Sequence, residues 1–147
     1  MARATSGVTA SVAIIGAGPC GLASGIALKK VGIRSQIYDR SCLVSGIASY
    51  PMYMTFFSTA ERITIGDLPF VTSGEKPTRR EALGYYRLVA QHFGLNLRLY
   101  ETVSEVVREG AHFVVRSTTP AGRVEMPYDA VVIATGYFGN PSLLHVP

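Results

Sequence analysis

The stretch Ala10-Ser11-Val12-Ala13-Ile14-Ile15-Gly16-Ala17-Gly18-Pro19-Cys20-Gly21-Leu22 decides how this chain is read. Its apolar, β-branched run stops abruptly at Gly16, which predicts a buried strand followed by a tight turn. From Pro19 onward Leu22, Ala23, Ile26, Ala27 and Val31 recur at helical spacing. Pro19 suits the first helical turn, Lys29 and Lys30 suit the last, and Gly32 stops the helix. Residues 33–38 predict a second strand that closes on Asp39. Strand, helix and strand within roughly 30 residues form a βαβ unit, so the expected class is α/β with a parallel sheet and a crossover helix.

Gly16-x-Gly18-x-x-Gly21 gains its meaning from that context. It follows a strand, opens a helix, and has an acid, Asp39, at the end of the next strand. Those are the structural requirements of a dinucleotide-binding fingerprint. Gly16 permits the turn, Gly18 lets backbone approach a pyrophosphate, and Gly21 lets the helix pack closely on the strand. Pro19 opens the helix whose unpaired N–H groups face the phosphates. Asp39 would accept hydrogen bonds from ribose hydroxyls and repel a 2′-phosphate, so the expected nucleotide is FAD or NAD rather than NADP.

Outward from this unit, residues 1–9 are small and polar and read as a flexible arm, leaving 10–147 as the folded domain. Residues 40–75 have no clean period and carry the aromatic block Tyr50-Pro51-Met52-Tyr53-Met54-Thr55-Phe56-Phe57-Ser58. Packing on a flat ligand or a second domain, and simple core burial, are both open for that block. Thr78 and Glu81 form a T-x-x-E capping box, and Ala82, Tyr85, Tyr86, Val89, Ala90 and Phe93 make one apolar stripe before Gly94. Residues 96–100 alternate like a strand; 102–108, 112–118 and 122–126 predict a small antiparallel meander. A second fully apolar strand, residues 130–134, closes on Thr135-Gly136.

Composition sets the outer bounds. The chain has 147 residues, 48% hydrophobic and 16% charged, which fits one globular domain and excludes a disordered chain. No apolar run is long enough for a membrane span and the start does not read as a secretion signal, giving a cytoplasmic expectation with no membrane partner. The net charge of +4 comes from scattered basic residues interleaved with acids, a solvated surface rather than a nucleic-acid face. Cys20 and Cys42 make neither a disulfide framework nor a zinc site, and no C-x-x-C is present. His92, His112 and His145 are isolated, and no metal site is expected.

A helix followed by a meander and a strand ending in Ala134-Thr135-Gly136 resembles the FAD domain of two-dinucleotide-domain flavoprotein reductases and flavin monooxygenases. The match sharpens over Gly16-Ala17-Gly18-Pro19-Cys20-Gly21-Leu22, the Met54-Thr55-Phe56-Phe57-Ser58-Thr59 block, Lys76-Pro77-Thr78-Arg79 with Tyr85-Tyr86-Arg87, and Ala134-Thr135-Gly136-Tyr137-Phe138-Gly139-Asn140-Pro141. Together these resemble the YpdA-like bacillithiol disulfide reductases, flavoproteins similar to thioredoxin reductase that lack its C-x-x-C. The resemblance implies hydride transfer from NADPH to FAD and reduction of a small-molecule thiol disulfide, by a homo-oligomer when full length. It implies FAD contacts at Val103, Thr135 and Gly136, and it makes Cys20 the redox-active thiol. At the first turn of a helix a thiolate is favoured by the macrodipole, while a neighbouring pyrophosphate opposes it. Cys42 is expected to be structural, with a Cys20–Cys42 pair as the open alternative that nothing in the spacing demands.

The same resemblance implies that the NADPH domain, and a last strand and helix of the FAD domain, lie outside this chain, so the isolated chain should hold FAD weakly and be inactive alone. Residues 43–47 depart from the family pattern, where an Asn commonly sits. A flavin monooxygenase, a ferredoxin-NADP reductase type enzyme and a non-catalytic FAD-binding or redox-sensing fragment remain alternatives.

Overall fold

A computed structural model describes residues 10–136, 138 and 139. The arm at residues 1–9, Tyr137, His145 and the rest of 140–147 lie outside the described residues. Strand β1 (Ser11–Ile15), helix α1 (Pro19–Lys30) and strand β2 (Arg34–Asp39) form the expected βαβ unit. Helix α1 starts with Pro19 at its first position and ends on Lys29 and Lys30, with Gly32 at φ 76° just beyond. Two four-residue helices follow, α2 (Ser45–Ala48) and α3 (Ala60–Ile63), in the stretch that showed no period. Helix α4 (Arg79–His92) has the full capping box: Thr78 accepts from the Glu81 N–H, and the Glu81 carboxylate accepts from the Thr78 N–H at 2.8 Å.

The remaining strands are β3 (Leu97–Leu99), β4 (Thr102–Glu109), β5 (His112–Thr119), β6 (Gly122–Tyr128) and β7 (Ala130–Ile133). A parallel sheet runs β3-β2-β1-β7, and β4-β5-β6 form the antiparallel meander, with a register irregularity between Val103 and Glu105. The 96–100 strand therefore belongs to the parallel sheet, paired to β2 through Ile37 and Leu97.

Strand β1 is apolar from Val12 to Ile15 because both of its faces are covered. Val12 and Ile14 join the core built by α1 and α4, with Leu22, Ile26, Ala82, Tyr86 and Val89. Ala13 faces the opposite side and packs with Tyr38, Val115 and Tyr128, where the meander closes on the sheet. Helices, parallel sheet and meander thus stack as three layers. The Tyr38 and Tyr128 hydroxyls share a buried hydrogen bond of 2.6 Å across the last interface. Burial, and then Tyr128, push the Tyr38 phenol far above its ordinary pKa, so Tyr38 stays neutral.

The α4 stripe is core as expected. The aromatic block is divided: Tyr50 and Phe56 pack against the core, whereas Met52, Tyr53 and Phe57 are exposed. Strand β7 is apolar but sits at the sheet edge, leaving Ile133 65% exposed.

Candidate functional site

Strand β1 lies between β2 and β7, so connections leave its two sides in opposite directions. Such a reversal opens a crevice at the carboxyl ends of the strands. Register makes the crevice compact. Ile15 pairs with Tyr38 on one side and Ile133 on the other, bringing Gly16, Asp39 and Ala134 to one edge. The Gly16 N–H donates to the Tyr38 carbonyl at 2.7 Å and the Ala134 N–H to the Ile15 carbonyl at 2.8 Å.

The glycines answer to different constraints. Gly16 has φ +114°, and a Cβ there would lie 2.2 Å from the Ala134 carbonyl oxygen. A Cβ on Gly21 would lie 1.9 Å from the Gly16 carbonyl oxygen, so helix and turn touch only because it is absent. Gly18 is unlike both: a Cβ there meets no protein atom within 4 Å. Nothing inside the fold requires a glycine at this position, and the open space lies at the N-cap of α1, which makes no side-chain hydrogen bond. Free first-turn N–H groups beside an open cradle suit a phosphate.

Around this turn lies a cleft of about 690 Å³ lined by Gly16, Asp39, Val103, Thr135 and Gly136. Five of the residues singled out in the sequence are therefore brought together. Gly18, Pro19 and Gly21 build the turn and the start of α1. Asp39 does more than wait for a ligand. One carboxylate oxygen accepts the Ala17 N–H at 2.9 Å and the other the Ser41 N–H at 2.8 Å, so it also braces the glycine turn. Each oxygen keeps acceptor capacity for a hydroxyl.

Sequence reasoning missed several lining residues, among them Arg40, Ser41, Ser45, Ser49 and Glu101. Glu101 is buried, accepts from the Ser117 hydroxyl and pairs with Arg98 at 3.4 Å. Its place two residues before Val103 was the only available signal. The serines lie in the aperiodic stretch, where a Ser-rich composition was visible but its geometry was not.

Cys20 is exposed at the second position of α1 and is not among the residues lining the cleft. Ser24 Oγ donates to its carbonyl oxygen at 2.8 Å. The Tyr86 phenol is raised chiefly by burial and then by Tyr85, Cys20 and Tyr50. Cys42 is half-buried, and both thiols are free. His112 Nδ1 lies 3.4 Å from an Asp129 oxygen at the far end of the meander. Among the described residues no cluster is arranged to hold a metal ion and no helix is long and apolar enough to cross a membrane.

Residues 13–147 match the model of the pyridine nucleotide-disulphide oxidoreductase family. The chain belongs to that family. It is 38% identical over 135 residues to the bacilliredoxin reductase Bdr of Bacillus subtilis, covering 91% of this chain and 40% of that protein. The solved bacillithiol disulfide reductase Bdr (YpdA) from Bacillus cereus superposes with a TM-score of 0.90 at 40% identity, over 94% of this chain and 43% of its own. A flavin-containing monooxygenase from Stenotrophomonas maltophilia follows at TM-score 0.84 and 25% identity, over 92% and 41%. The α/β reading and the resemblance to the YpdA-like reductases are thus borne out, and the chain spans about two fifths of the length of these relatives.

Proposed function

We propose that residues 10–147 are the N-terminal part of the FAD-binding domain of an NADPH-dependent flavoprotein reductase acting on a low-molecular-weight thiol disulfide of the bacillithiol type. The observation that carries this reading is the cleft at the switch point of the sheet, in a chain so similar to the Bdr proteins. The cleft and the glycine turn at its edge suit the dinucleotide: in the turn, first-turn N–H groups of α1 and the open Gly18 for the pyrophosphate; in the cleft, Asp39 for ribose hydroxyls, Val103 backbone for the adenine end, Thr135 and Gly136 for the flavin side. Bound FAD would supply two-electron transfer between the nicotinamide and the thiol disulfide couple. Asp39 orients the nucleotide and, through Ala17, holds the turn that receives it. NADPH would bind in a part of the protein outside this chain.

Cys20 takes the role of redox-active thiol. Its exposure leaves it accessible to a disulfide, and its position in the first turn of α1 puts it next to the phosphate-binding cradle. The test is NADPH oxidation by the flavin-loaded full-length protein. Stimulation by bacillithiol disulfide that is lost in Cys20→Ser, with flavin retained, is the expected result. Unchanged turnover in that variant would remove Cys20 from the chemistry. The likeness to flavin-containing monooxygenases supports a second reading, which NADPH-dependent oxygenation without disulfide stimulation would favour.

A further inference from the structure

We propose that Arg79 is a positioning residue for the cleft: it clamps helix α2 so that Ser45, Gly46 and Ser49 form a fixed wall for the nucleotide. The proposal rests on the reading of the cleft as an FAD site. Arg79 occupies the first position of α4, where the helix dipole disfavours a cation. Arg80, next to it, is exposed, but Arg79 is half-buried and turned to another partner. Its Nη2 donates to the Ala48 carbonyl at 2.5 Å and its Nε to the Ile47 carbonyl at 3.3 Å. These are the last two residues of a helix of only four. A helix so short has no stability of its own; the Ile47 carbonyl also accepts the Tyr50 N–H at 3.1 Å, and the guanidinium adds its shorter bond at the Ala48 carbonyl. The planar guanidinium supplies a forked donor that a lysine lacks.

The other end of α2 is constrained as well. Val44 adopts φ 48°, a left-handed conformation that a β-branched residue enters only under outside constraint. Its side chain is buried and its N–H donates to the Ala17 carbonyl at 3.0 Å. Ala17 in turn donates its own N–H to Asp39. Glycine turn, Asp39 and α2 are therefore one connected unit, with Arg79 holding its outer end. The bonds that cap α4 use Thr78 and Glu81, and the Arg79 backbone N–H bonds the Met54 carbonyl at 2.8 Å. None of them needs the guanidinium.

The test pairs amide hydrogen exchange of the ligand-free chain with FAD titration, for wild type, Arg79→Met and Arg79→Lys. Arg79→Met is expected to speed exchange at Ile47, Ala48 and Ser49 about tenfold while amides of residues 82–90 in α4 stay unchanged. The FAD dissociation constant should rise about tenfold, with Arg79→Lys between the two because it donates from a single centre. Wild-type binding matched by Arg79→Met overturns the proposal alone, as does exchange that is unchanged in α2 or raised equally through α4. A wild-type chain that takes up no FAD overturns the reading of the cleft and the proposal with it.

Discussion

At the residue scale the turn is governed by contacts of one or two atoms. Gly21→Ala would drive a methyl into the Gly16 carbonyl, 1.9 Å away, where both partners are backbone and neither can rotate aside. A loss of about 1–3 kcal/mol in denaturant unfolding is expected. This constraint was legible because a glycine pattern reports a missing Cβ directly. Asp39 was legible as the acid closing β2, but its bonds to Ala17 and Ser41 were not. A bond to a backbone N–H 22 residues earlier leaves no trace in residue type. Arg79 illustrates the same limit: its motif was visible, while its partners Ile47 and Ala48 lie 31 to 32 residues away.

At the scale of elements, α4 was readable because its signals lie three or four residues apart. Thr78→Ala is expected to cost about 1 kcal/mol in thermal or chemical unfolding by removing the acceptor for the Glu81 N–H. Glu81 adds a pH signature. The N–H groups of Ser73 and Thr78, and then their hydroxyls, hold its carboxyl well below the ordinary 4.5, at about 2. A lowered folded value stabilises the fold above about 4.5, and the contribution is lost as pH falls from there toward about 2. Glu81→Gln should therefore melt below wild type near neutral pH, with the gap narrowing as melts are repeated at lower pH down to about 2. A gap that is constant with pH would count against the carboxylate. Helices α2 and α3 stayed hidden because four residues span barely one turn and show no period. Strand β3 was visible as a strand, but its parallel place beside β2 depends on the Ile37 to Leu97 pairing.

For the whole molecule, the decisive feature is a strand covered on both faces. The apolar run of β1 announced burial, yet only the structure assigns Val12 and Ile14 to the helical side and Ala13 to the meander side. The Tyr38 to Tyr128 bond ties the third layer to the sheet. Tyr128→Phe would leave one buried phenol without its partner, and a loss of about 1–2 kcal/mol in unfolding free energy is expected. Stacking of the layers also places the start of β4, with Val103, beside the end of β2, so that a cleft forms where two separate sequence motifs had only been suspected of meeting.

That cleft is the centre of the account, and Gly18 tests it without disturbing the fold. Its backbone is extended, at φ −80° and ψ 179°, and an added Cβ touches no protein atom within 4 Å. Gly18→Val should stay folded, within about 1 kcal/mol of wild type for the poorer N-cap, yet occupy the space assigned to the pyrophosphate. Titration of the purified chain with FAD, followed by flavin fluorescence, should therefore give weak but saturable binding for wild type and none for Gly18→Val. Equal binding by the two chains, or no binding by a folded wild type, would contradict the account.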